Sequence, residues 1–163
     1  MTRLGTAWLM PMLVAAALAA MVAVMGATIT DLGPWYRSLA QPAWAPPDAA
    51  YGIAWTLIYA SVTVAAVSAW SATDSAHEAD WLFGMFALNG FLNIVWSLLF
   101  FRFHRPDWAL VEGVALWLSV AALVILCGRR SRLALALLLP YLAWVGVALA
   151  LNLAVVRLNG PFG

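Results

Sequence analysis

The chain has 163 residues, 66% of them hydrophobic and 9% charged, with a net charge of +1. Ordinary soluble domains carry about 25% charged residues, so the composition excludes a soluble globular domain. The small net charge and the lack of a basic patch exclude a nucleic-acid partner. The single cysteine, Cys127, excludes an intramolecular disulfide and a CxxC redox pair.

Five apolar runs reach the roughly 20 residues that a helix needs to cross a bilayer. They fall at 7–29, 51–70, 81–101, 108–127 and 133–156. Lipid offers no water to backbone groups, so runs of this length are helices rather than barrel strands. The expected fold class is all-α: one domain, residues 1–163, forming an integral membrane bundle of five transmembrane helices with a structured Pro/Trp-rich first loop at 30–50. Arg3 followed by an apolar run and then Gly26 and Ala27 also fits a secretory signal peptide. The run exceeds the about 7–15 residues of such a segment, and a retained span is expected. Orientation stays open, because the arginines divide evenly: Arg3, Arg129, Arg130 and Arg132 fall on one side, Arg37, Arg102, Arg105 and Arg157 on the other.

Span one repeats alanine at Ala15, Ala19, Ala23 and Ala27, giving a small-residue face for close helix approach, either within the bundle or as a dimer seam. Thr28, Thr30 and Asp31 are positioned to cap its exit, and Gly33-Pro34 turns the chain. The next stretch, WYRSLAQPAWAPP (35–47), holds two of the ten tryptophans and three of the eight prolines. Proline fixes φ and pushes the preceding residue toward extended geometry, so a stiff aromatic lid, neither helix nor strand, is expected.

Span two places Tyr51, Trp55, Tyr59 and Thr63 at steps of four, one stripe on one helix face. The acidic loop 71–80 reads as a solvated connector with His77 on its surface. His77, Glu78 and Asp80 have metal-ligand chemistry, but neighbours in one loop rarely complete a coordination shell, and no metal is assigned. In span three, Asn89, Asn93, Trp96, Ser97 and Phe100 share a side. Amides are costly against lipid, so this side faces inward. Span four opens with Asp107 as the expected N-cap. Glu112 lies within reach of Arg102 and Arg105, and a paired structural charge is expected there. Span five has Pro140 inside it, followed by Tyr141, Trp144, Ala148 and Asn152 on one face.

Tryptophan collects at membrane interfaces because its ring is amphipathic. Trp8, Trp70, Trp81 and Trp108 sit at span ends and fit that belt. Trp55, Trp96 and Trp144 lie inside spans and share faces with Tyr59, Asn93 and Tyr141. A hollow walled by indoles suits a large planar aromatic or macrocyclic ligand, and Arg37 in the lid would be the cation for its carboxylates. A solid aromatic core is the competing reading, and spacing does not choose between them.

Four blocks in this order resemble the TspO/MBR family of tryptophan-rich sensory and translocator proteins, known also as peripheral-type benzodiazepine receptors. They are WYRSLAQPAWAPP (35–47), IAWTLIY (53–59), NIVWSLLFF (93–101) and PYLAWVGVALALN with RLN (140–159). The resemblance implies a five-helix bundle that binds porphyrins such as protoporphyrin IX or haem, sterols and synthetic isoquinoline-type ligands beneath the first loop. It assigns the pocket to Trp35, Tyr36, Trp44, Trp55, Asn93, Trp96, Tyr141, Trp144 and Ala148, to which the residue patterns add Arg37 and Tyr59. It implies a membrane receptor regulating tetrapyrrole levels or oxidative-stress signalling. One alternative is light- and oxygen-dependent breakdown of protoporphyrin IX, with Trp55 and Trp144 as the reacting positions; another is a small porphyrin or sterol transporter. It also implies a homodimer and, with the alanine-rich, lysine-free composition, a bacterial envelope membrane. No obligatory cofactor is expected, the porphyrin being ligand or substrate. A conventional haem electron carrier is disfavoured because the only histidines, His77 and His104, fall in loops. Two departures stand out: Gln41-Pro42 replaces the family's Lys-Pro, and the weak sterol motif near Leu151, Leu153 and Arg157 lacks its tyrosine.

Overall fold

The structure, a computed structural model, describes residues 9–162; Arg3, Trp8 and the first residues of span one lie outside them. Five long helices, α1 (Leu9–Ile29), α3 (Asp48–Trp70), α4 (Ala76–Ser97), α5 (Pro106–Gly128) and α6 (Arg132–Asn159), are joined by a short α2 (Pro34–Ser38) in the first loop and a π-helical turn (Leu98–Arg102) after α4. Each of the five is long and apolar enough to cross a membrane, α4 together with its π turn. The helices start earlier than the apolar runs because polar residues nucleate them. Ser75 accepts a bond from the Glu78 amide and Ser131 one from the Ala134 amide, the N-cap arrangement that satisfies orphan donors.

Two local expectations change. Asp107 is not the cap of α5: Pro106 occupies the first helical position with Arg105 before it, as suits a residue with no N–H to leave unpaired. Asp107 instead binds Arg105, whose Nε lies 2.8 Å from Oδ1, and the guanidinium lies 4.2 Å over the Trp108 ring. The lid also contains a helix. Pro34, with φ preset, starts the one-turn α2, which ends where Leu39 returns to extended backbone.

The helices form a closed ring in the order α1, α3, α6, α5, α4, with α5 and α6 in the most extensive contact and α3 barely touching α4. Side chains from α3 to α6 make the core, among them Ala65, Val120, Leu123, Cys127 and Leu138, all fully buried. No residue of α1 is buried. It leans across the gap between α3 and α4 as a wall.

Polar side chains knit the ring. Asn89 donates to Ser119 Oγ (2.8 Å) and accepts from the Tyr141 hydroxyl (3.0 Å), joining α4, α5 and α6. Tyr59 donates to Asn93 Oδ1 at 3.3 Å, joining α3 to α4. Asn152, its amide oriented to satisfy both partners, donates to the Pro106 carbonyl and accepts from the Leu110 amide, both at 3.0 Å. Two serines, Ser68 and Ser131, meet at 2.7 Å. Such contacts replace the hydrophobic drive that lipid removes.

The lid is fastened at several points. At the end of α1 the Thr28 and Thr30 hydroxyls cap the Met25 and Gly26 carbonyls, and Asp31 accepts from the Gly33 amide. A Cβ on Gly33 would lie 2.8 Å from that carboxylate oxygen and would displace the Asp31 side chain from its bond. Trp35 stacks on His104, centroids 4.0 Å apart and planes 16° from parallel, and meets Phe100 edge-on. His104 holds φ 55°, a left-handed conformation unusual for a residue with a Cβ. On the far side Asn159, in the last turn of α6, accepts from the Ala40 amide (2.8 Å) and donates to the Ala40 carbonyl (3.0 Å).

Tyr141→Phe, which deletes the hydroxyl bound by Asn89, is expected to lower unfolding free energy by about 0.6 to 1.7 kcal/mol, the range for interhelical hydrogen bonds in membranes, read from denaturant titration in mixed micelles. Asn159→Ala is expected to speed deuterium exchange at the Ala40 amide at least about tenfold, since one net hydrogen bond of about 1.4 kcal/mol corresponds to that factor, while amides of α5 exchange unchanged.

Candidate functional site

Under the lid lies a cavity of about 740 Å³ bounded by all five long helices. The stripe of α3 supplies Tyr51, Trp55 and Tyr59; α4 supplies Asn93, Trp96 and Ser97; α6 supplies Trp144, Ala148 and Asn152; Tyr36 closes it from the lid. Trp55 stacks on Tyr59, centroids 5.5 Å apart at 28°, and Tyr51 meets Trp144 edge-on at 5.9 Å. Trp96 lies on Phe100 at 5.1 Å and 22°. The aromatic walls are therefore buttressed by neighbours rather than left free to collapse into the space.

The facing wall is made small. Ala23, Gly26 and Ala27 of α1, with Thr30 just after the helix, line it, and a Cβ on Gly26 would come 3.9 Å from the Tyr59 hydroxyl. The alanine face of α1 thus looks into the bundle. Ala15 and Ala19 line a second cavity, about 620 Å³, on the other side of Tyr59 and Asn93.

Seven of the residues singled out from sequence line the first cavity together: Tyr36, Trp55, Tyr59, Asn93, Trp96, Trp144 and Ala148. Four do not. Trp35 is consumed by its stack on His104 and Phe100. Arg37 turns back to donate to the Leu32 carbonyl at 3.1 Å. Trp44 is 53% exposed. Tyr141 is one helical step off the cavity-facing row and points, buried, at Asn89 and the second cavity. Conversely, Gln41, Asp48, Gly52, Phe101 and Gly113 line the space without having been singled out as binding positions. Gly113 carries a legible reason only in three dimensions: a Cβ there would lie 2.7 Å from Leu149 and 3.2 Å from Trp96.

The lining is electrostatically simple. Among the described residues Asp48 is its one charged residue, at the first position of α3. Burial, and to a lesser degree the Asp48 carboxylate, push the Tyr36 phenol above its ordinary value, so it stays a neutral O–H donor at physiological pH. Among the described residues no arginine or histidine lines the cavity. The expected pairing of Glu112 with Arg102 or Arg105 does not form. Arg102 donates to the Thr28 carbonyl at 2.6 Å, Arg105 is taken by Asp107, and both carboxylate oxygens of Glu112 are buried with no hydrogen-bond partner among the described residues. The expected loop 71–80 is helical from Ala76, so that His77, Glu78 and Asp80 lie in the first turns of α4; there Glu78 binds Arg130 at 3.0 Å, and among the described residues no three metal-ligating side chains come together. Trp70, Trp81 and Trp108 are exposed at the helix ends, and Trp117 packs against the core beside Gly146.

Comparison with known proteins agrees with this architecture. The model of the TspO/MBR family matches residues 12–158. Protein CrtK of Rhodobacter capsulatus is 34% identical over 139 residues, 84% of this chain and 87% of that protein. The tryptophan-rich protein TspO of Archaeoglobus fulgidus is 36% identical over 135 residues, 81% of this chain and 84% of its own. The translocator protein of Sus scrofa is 34% identical over 126 residues, 77% and 75%. With a match across nearly every helix and a bundle of five membrane spans beneath a Pro/Trp-rich loop, the chain belongs to the TspO/MBR family.

Proposed function

We propose that this membrane protein is a receptor for flat, largely apolar aromatic macrocycles, with porphyrins such as protoporphyrin IX and haem as its ligand class, and that it acts on tetrapyrrole levels by holding them. The observation that carries this reading is the cavity of about 740 Å³ walled by Trp55, Trp96 and Trp144 together with Tyr51 and Tyr59. It lies within the about 300–1,000 Å³ of small-molecule sites. Indole faces stack on an extended π system, and Asn93 and Ser97 give a few polar contacts to orient it.

The lining also says how such a ligand sits. Among the described residues it contains no histidine, cysteine or methionine, so recognition runs through the ring faces and not through a central metal. With a carboxylate and no cation among the described lining residues, the propionates of a porphyrin stay at the lid, beyond Asp48, and the unsubstituted edge enters the bundle. Arg37, held on the Leu32 carbonyl, takes no part in the closed arrangement.

A second reading, photochemical breakdown of the bound pigment, has one observation in its favour: both Trp55 and Trp144 line the cavity. An excited porphyrin passes its energy to dissolved oxygen, and indoles in contact with the ring are the nearest oxidisable groups. Binding is the step common to both readings.

Protoporphyrin IX is expected to quench intrinsic tryptophan fluorescence saturably, with a Kd of about 1 µM or below. Replacing Trp55 and Trp144 by Ala together is expected to weaken it at least about tenfold, the loss of about 1.4 kcal/mol of stacking; unchanged affinity in a folded protein rejects the site. Asp48→Asn is expected to tighten binding of the free diacid a few-fold and leave its dimethyl ester unchanged. For the photochemical reading, illumination in air is expected to bleach bound protoporphyrin faster in the native chain than in the Trp55→Phe, Trp144→Phe variant, and equal rates leave binding alone.

A further inference from the structure

The second cavity, about 620 Å³, is unlike the first. Among the described residues no Asp, Glu, Arg or His lines it, and its polar side chains already have partners: Asn93 with Tyr59, Asn89 with Tyr141 and Ser119, and Thr63 with the Tyr59 carbonyl. It asks for no polar partner. Its shape follows from the residues that bound it, Met10 to Val22 on α1, Ile58 to Trp70 on α3 and Leu82 to Ile94 on α4. Each stretch is a little over three helical turns, about 18 Å at 1.5 Å per residue. The cavity is therefore a slot parallel to the helix axes. It runs from the end marked by the exposed Trp70 to the middle of the spans, where the Tyr59–Asn93 bond closes it off from the aromatic cavity.

One leaflet of a bilayer has a hydrocarbon depth of about 15 Å, half of the about 30 Å core. The slot has that length, that direction and that polarity. Its back wall is buried, with Ile58, Thr63 and Val67 of α3, whereas Leu18 and Met21 of α1 and Phe83 and Phe91 of α4 line it while remaining exposed. It thus opens between α1 and α4, on the face where the surroundings are acyl chains. The end of the bundle at its mouth carries Arg129 and Arg132 but also Asp74 and Asp80, and Arg130 is paired with Glu78, so net charge does not select a headgroup.

We propose that this slot is a binding site for one acyl chain of a membrane phospholipid, held against α3 behind α1 and ending at the Tyr59–Asn93 pair, separate from the aromatic cavity. The chain is recognised by length and apolar contact, not by its headgroup. This site stands independently of the porphyrin reading.

The test is native mass spectrometry of the full chain released from nanodiscs, with phosphatidylcholine or phosphatidylglycerol as the only lipid. The native chain is expected to retain one phospholipid of either kind through detergent that strips the annular shell. Ala19→Phe and Ala66→Leu, which fill the slot, are expected to reduce that retention at least tenfold, and Val111→Phe, on the outer face of α5, to leave it unchanged. A second measurement needs no variant: a phospholipid with a diazirine at its chain terminus is expected to label α1, α3 and α4 around Val22, Ile58 and Ile94 in preference to the outer faces of α5 and α6. Absence of a retained phospholipid, equal retention by folded slot-filling variants, or labelling spread evenly over the outer helix faces overturns the proposal. Retention of a co-purified non-lipid molecule in place of phospholipid overturns it as well.

Discussion

α3 and α4 barely touch, and α1 has to close the ring between them without filling it. A helix can do that in lipid only if its inward face is small, because the bilayer, unlike water, exerts no hydrophobic pressure to pull it tight. Alanine and glycine at 15, 19, 23, 26 and 27 meet that requirement, and the two cavities are the space they leave. Larger side chains on this face would join α1 to the core and abolish both at once.

The polar residues then decide where that space is divided. Two amides and two tyrosines, Asn89, Asn93, Tyr59 and Tyr141, sit near mid-span and hydrogen-bond to one another and to Ser119. They join α3, α4, α5 and α6 and form the floor common to both hollows. Above them the aromatic rings of α3, α4 and α6 lean on neighbours; below them the walls are aliphatic and phenylalanine-rich. Asp48 stands at the mouth, while the buried oxygens of Glu112 have no hydrogen-bond partner among the described residues.

Much of this was legible in the sequence because lipid simplifies the code. Run length gave the spans, and steps of four aligned Tyr51, Trp55 and Tyr59 on one face, since a helix repeats every 3.6 residues whatever surrounds it. The costs of burying amides placed Asn89 and Asn93 inward. What escaped sequence reasoning depends on register between elements or on backbone irregularity. Tyr141 and Trp144 are three apart and nominally on one face, yet they serve opposite sides of a partition. Trp35 and Arg37 belong to a one-turn helix whose direction nothing in the residue types reveals. The π turn at Leu98–Arg102 inserts an extra residue that sets Phe100 and Phe101 beside the cavity, and a periodic reading passes straight through it. Charge and distance along the chain point Glu112 to Arg102 and Arg105, but in space those arginines have nearer partners.

The bond between Ala40 and Asn159 links residues 119 positions apart. A ribosome delivers the chain from its amino end, so the first loop is made, and its two flanking spans inserted, long before the residue that will hold it exists. Until the fifth span has entered the bilayer, the mouth of the bundle stands unlatched. The order of synthesis thus leaves the growing protein open, and completion of the final helix is the event that shuts it.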